Sequence, residues 1–114
     1  MKIKEIANIL EGTFLTGEEY GDNEVFSACG SDMMSDVLAY VKDQAVLLTG
    51  LCNPQVVRTA EMMDMLCIVF VRGKRPPEEV VSLAEKKGIA VISTPRRMFS
   101  ACGLLYSNGL KPGN

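Results

Sequence analysis

From Ala45 to Pro76 the chain reads AVLLTGLCNPQVVRTAEMMDMLCIVFVRGKRP. Two unbroken apolar runs, Val46-Leu47-Leu48 and Cys67-Ile68-Val69-Phe70-Val71, flank an amphipathic segment. A strand that is apolar on both faces has to be covered on both, which is the pattern of a parallel sheet. Between the runs, Asn53 is an N-cap residue type and Pro54 suits the first helical position. Val56, Val57, Ala60 and Met63 then recur along one helical stripe. The stretch predicts a βαβ unit with a right-handed crossover. It constrains everything around it, because each neighbouring segment must extend that sheet or cover it.

The flanks repeat the pattern. Ile3, Ile6, Ala7, Ile9 and Leu10 predict an opening helix, ended by Gly12 as its C′ residue. Thr13–Thr16 reads as a short strand, antiparallel or an edge addition. A polar turn from Gly17 to Asn23 follows, then a second strand over Glu24–Cys29. Gly30-Ser31-Asp32 leads into a helix capped by Ser31 or Asp32, with Met33, Met34, Val37, Leu38 and Val41 as its stripe and Lys42-Asp43-Gln44 as its end. Beyond the central unit, Pro76 or Pro77 with Glu78 and Glu79 opens a helix that Lys86, Lys87 and Gly88 close, acids and bases each suiting their end of the dipole. Ile89–Ile92 is the last strand. Ser93-Thr94-Pro95 reads as a cap for a final helix burying Met98, Phe99, Cys102, Leu105 and Tyr106. The expected fold is three-layer α/β/α in the order α-β-β-α-β-α-β-α-β-α, with a mostly parallel sheet of about five strands. The 114 residues, 47% hydrophobic, make one domain's worth of chain. Residues 1–110 are read as that domain and 111–114 as a frayed tail.

In such sheets ligands sit beyond the carboxyl ends of the strands. Four loops map there: Gly30-Ser31-Asp32, Thr49 to Asn53, Arg72 to Arg75, and Ser93 to Arg97. They carry Arg72, Lys74, Arg75, Arg96 and Arg97 against one acid, Asp32, in a chain of net charge −2. Helix starts at this edge leave N–H groups that favour anions. Ser31, Asp32, Thr49, Gly50, Asn53, Arg72, Gly73, Lys74 and Thr94 are therefore candidates for lining a site for a phosphate, nucleotide or acidic peptide. Caps alone account for Ser31, Asn53 and Thr94 in the plainer reading. Neither a GxxxxGK[ST] nor a GxGxxG motif is present.

Other chemistry is thinly represented. The chain has no histidine, which excludes Ser-His-Asp triads and histidine acid/base catalysis. No paired acids or nucleophile elbow appear, so there is no positive argument for an enzyme, and no cofactor is expected. Of the four cysteines, Cys29 and Cys52 map to the candidate edge and are the candidates for a metal ligand; buried, reduced thiols are the plainer reading. A four-thiolate cluster would need a dimer. Net charge argues against a nucleic-acid partner, and no apolar run approaches a membrane span. The expected location is cytoplasmic. Met62 and Met65, with Leu51, Leu66 and the second apolar edge of the final helix, are candidates for a subunit contact. Arg58 and Glu61 are spaced as a surface pair.

The run LLTGLCNPQVVRTAEMMDMLCIVFVRGKRP and the preceding SACGSDMMSDVLAYV resemble the DRTGG domain, over roughly Lys2 to Gly109. That domain is similar to the N-terminal domain of HPr kinase/phosphorylase and also occurs in some phosphotransacetylases and CBS-bearing pyrophosphatases. The family's Gly-Asp-Arg stands here as Gly50-Leu51-Cys52-Asn53, and its Thr-Gly-Gly as Val71-Arg72-Gly73; Gly50 and Gly73 agree. The resemblance implies an α/β fold and a non-catalytic regulatory or ligand-sensing role as a homodimer. The small stand-alone type it looks like implies, as the alternative, an accessory subunit beside an iron-only hydrogenase.

Overall fold

The computed structural model of the chain describes residues 1–40 and 44–112. Val41, Lys42, Asp43, Gly113 and Asn114, read above as stripe, helix end and tail, lie outside the described residues. The elements are α1 (Ile3–Ile9), β1 (Thr13–Thr16), a 3₁₀ turn (Glu18–Tyr20), β2 (Ser27–Gly30), α2 (Met34–Tyr40), β3 (Ala45–Thr49), α3 (Pro54–Met62), β4 (Cys67–Phe70), α4 (Glu78–Lys86), β5 (Ala90–Ser93), α5 (Met98–Ser107) and β6 (Lys111–Pro112).

Six strands form one sheet in the order β1-β5-β4-β3-β2-β6. β2, β3, β4 and β5 are parallel neighbours in chain order, with Val46 opposite Cys67 and Cys67 opposite Ala90. β1 is antiparallel on the β5 edge, with a bulge between Phe14 and Thr16. Because each parallel step runs the same way, right-handed crossovers put α2, α3 and α4 on one face. The period-2 alternation of the strands divides the core accordingly. Leu47, Ile68, Phe70 and Val91 pack with Val37, Val56, Val57, Ala60, Val80 and Ala84. Val46, Leu48, Cys67, Val69 and Ile92 pack with Ile3 and Ile6 of α1, Leu10 just beyond it, and Ala101 and Leu105 of α5. Each large side chain so buried stabilises the fold by about 1.5–3 kcal/mol relative to exposure. No helix of the described residues is long and apolar enough to cross a membrane.

Asn53 caps α3, its side chain accepting from the Gln55 N–H, and Pro54 opens the helix as expected. Several boundaries differ. β2 starts at Ser27, because Val25 is held by the chain's first residue: the Val25 N–H donates to the Met1 carbonyl at 2.7 Å. α5 starts at Met98 with Arg97 at the cap position and no side-chain cap; Thr94 is buried elsewhere, as described below. Residues 111 and 112, expected to fray, pair with Ser27 and Ala28 as β6. The helical stripes are narrower than their apolar content predicts. Met33 and Leu38 on α2 and its approach, and Phe99 and Tyr106 on α5, are exposed, since a helix lying on a sheet covers it with one side only. Met65 is buried and Leu51 and Leu66 are half-buried, leaving Met62 and the outer side of α5 as the exposed members of that candidate contact. Glu61 pairs with Lys87 at 3.0 Å, not with Arg58, because the start of β5 brings the end of α4 beside α3.

Candidate functional site

Four parallel strands end at the same edge, so the four turns that follow them gather there, and hydrogen bonds stitch each to the next. After β2, the Ser31 N–H donates to the Leu48 carbonyl at 3.0 Å, and the Ser31 hydroxyl accepts the Met33 N–H at 3.0 Å. Asp32 does not cap α2. One of its carboxylate oxygens accepts both the Thr49 hydroxyl at 3.0 Å and the Gly50 N–H at 2.7 Å. The Thr49 hydroxyl in turn accepts the Leu51 N–H at 3.1 Å. Asp32 thereby ties the turn after β2 to the turn after β3.

The turn after β4 is tight. Arg72 and Gly73 both have positive φ, 62° and 69°, and the Lys74 N–H returns to the Val71 carbonyl at 3.2 Å. Two successive left-handed residues make a type I′ turn, which glycine enters freely and arginine does not. The Arg72 and Gly73 N–H groups donate to the Arg96 and Thr94 carbonyls, each at 2.7 Å. The Ser93 hydroxyl donates to the Lys74 carbonyl at 2.8 Å. Thr94 is fully buried; its hydroxyl donates to the Leu10 carbonyl at 2.6 Å and accepts the Arg96 N–H at 3.1 Å. Thr49 and Thr94 thus brace the edge from within and present no hydroxyl outward.

What faces outward is charge. The Arg72 guanidinium lies over Gly50, so close that a Cβ there would stand 2.8 Å from Nη2. Arg72, Lys74, Arg75 and Arg97 are exposed, and none has a carboxylate partner among the described residues. Arg96 is different: it pairs with Glu11 from the end of α1. Glu11 thus joins Asp32, the one acid of the four loops, at this edge, and arrives from far away in sequence. The rim is an open shelf. Clefts of about 200 Å³ lie away from it, beside Lys4 and Asp22 and beside Asp64 and Lys87.

Cys52 is half-buried near the centre of the shelf, and its thiol donates to the Gly50 carbonyl at 3.7 Å. Burial pushes this thiol up, outweighing Lys74 and Arg72, whose positive charge pulls it down. Cys29 is buried on β2, its thiol raised by burial and then by the neighbouring Cys102 and Asp36. Among the described residues no three His, Cys, Asp or Glu side chains stand close enough to hold a metal ion.

The family model for the DRTGG domain matches residues 5–107. Among solved structures, the chain is similar to the CBS and DRTGG domains of the regulatory region of Clostridium perfringens pyrophosphatase, crystallised with the activator diadenosine tetraphosphate. The identity is 19% and the TM-score 0.73, over 91% of this chain and 45% of that one. That likeness is one of fold, and this chain spans less than half of the neighbour's length. None of the curated proteins matches the chain.

Proposed function

The chain belongs to the DRTGG-domain family, and from that premise we propose that it is a regulatory module that senses a small anionic ligand, a nucleotide or phosphate compound, at the basic edge of its sheet. The observation that carries this reading is the set of exposed cations on a turn whose Arg72, Gly73 and Lys74 N–H groups are already bonded. Arg72, Lys74 and Arg75 sit on a turn whose conformation is costly for arginine, roughly 1–2 kcal/mol for a residue with a Cβ. Strain of that kind persists where the surroundings enforce it. An anion accepting from Arg72 and Lys74 clamps the turn after β4 where it lies over Gly50, and stiffens the edge. That the solved neighbour comes from a regulatory region bound to a nucleotide activator supports the same reading. In it the module works as a homodimer, so that a ligand at the rim alters how two copies sit together.

Thermal unfolding with inorganic phosphate, ATP and diadenosine tetraphosphate, each at millimolar concentration, tests the site. A ligand at ten times its Kd adds about 1.4 kcal/mol, or a rise of several degrees in Tm for a domain of this size. The rise should fall with added salt and vanish in Arg72→Ala/Lys74→Ala. No rise with any of the three probes overturns the reading.

A further inference from the structure

We propose that α5 is the two-fold contact between two copies of this chain, packed antiparallel about Gly103. The inference rests on the homodimer reading and names its surface. α5 has apolar side chains round most of its circumference, broken by Ser100 and Ser107, whereas α3 and α4 each have one apolar side. Such a helix belongs between two partners, yet here only Ala101 and Leu105 are fully covered, by the sheet. The outer side centres on Gly103, where a Cβ would meet nothing within 4 Å. A glycine inside a helix weakens it, and neither a turn nor a close neighbour in the monomer explains this one.

Around that notch the surface is its own complement. Helical spacing puts Phe99 and Tyr106 on one flank of Gly103, a turn below and a turn above it, and Ser100 and Ser107 on the other. A two-fold axis through Gly103 brings Phe99 of one copy to Tyr106 of the second, and serine to serine, each contact occurring twice as an isologous interface requires. Phe99 is 90% exposed, a knob. Beside Tyr106 lies a mostly apolar cleft of about 160 Å³, lined also by Cys102, Leu110 and Lys111, where the knob of the second copy lands. From Met98 to Leu110 there is no charged side chain to oppose its twin. Arg97, exposed at α5's own positive end, comes in the antiparallel pair beside the second helix's negative C-terminal carbonyls.

Light scattering and sedimentation of the full chain test this, with Gly103→Leu and Phe99→Ser. Leucine at 103 enters open space and removes a mid-helix glycine, so the Tm of the variant should hold or rise while the dimer weakens by at least tenfold. Phe99→Ser should weaken it likewise. A wild-type monomer at 0.1–1 mM overturns this contact and the homodimer reading together. A dimer unweakened in both variants overturns this contact alone and leaves the homodimer standing. The phosphate-dependent Tm rise, read in the same variants, reports separately on the rim.

Discussion

Arg72 is the residue on which stability and recognition oppose each other. Its φ of 62° favours glycine, while its guanidinium is the rim cation lying over Gly50. Arg72→Gly should raise stability by up to about 1 kcal/mol in urea unfolding and abolish the phosphate-dependent rise in Tm; Arg72→Ala should abolish the rise without the gain. Asp32 works the other way, as a fastener. Asp32→Ala strips the partner from the buried Thr49 hydroxyl and the Gly50 N–H and should cost about 1–3 kcal/mol by the same measurement. At this scale the sequence was readable in part. Asn53 as a cap was legible because capping is local. The tie from Asp32 to Thr49 was not, because a carboxylate near a helix start is an N-cap by type until a neighbouring strand offers it better donors. Nor was Glu11, whose arrival beside Arg96 depends on where α1 lies against the end of β5.

At the scale of elements, four helices stop in one way. After α1, α3, α4 and α5 a left-handed residue is followed by one whose N–H reaches back to the third-last helical carbonyl: Gly12 to Ala7, Met65 to Ala60, Ile89 to Ala84, Leu110 to Leu105. This is the Schellman stop. Glycine marks the left-handed position at Gly88 and Gly109, and there the ends are legible from composition; at Glu11 and Asp64 a side chain occupies it. Gly12, expected to be the left-handed residue, comes one position later and serves close packing: a Cβ there would stand 2.5 Å from Ile92. Asp64→Gly should therefore stabilise the fold by about 0.5–1 kcal/mol in urea unfolding, with no change in the rim's response to phosphate. Gly12→Ala should destabilise it, since the side chain it meets is fully buried.

The molecule as a whole carries its thiols protonated. Burial raises Cys67 far above its ordinary 9.0, and raises Cys29, Cys52 and Cys102 as well. The folded state then holds protons that the unfolded chain releases above pH 9. Stability from these groups is full below that pH and is lost as pH rises through it, by up to about 1.4 kcal/mol per pH unit for Cys67. Urea midpoints measured from pH 7 to 10.5 should fall at the alkaline end, and Cys67→Val should flatten the fall. What the amino-acid order determined by itself was the set of layers: apolar runs buried on both faces, alternating with amphipathic helices, admit little else than a covered parallel sheet, and parallel strands put their following turns on one edge. What only the tertiary structure decided was which groups meet across that edge and which apolar side chains stay outside. Asp32 on Thr49, Glu11 on Arg96, and the bare Phe99 and Tyr106 all depend on distances between elements remote in sequence. Local propensity carries no record of such distances, because they are set by how whole faces pack.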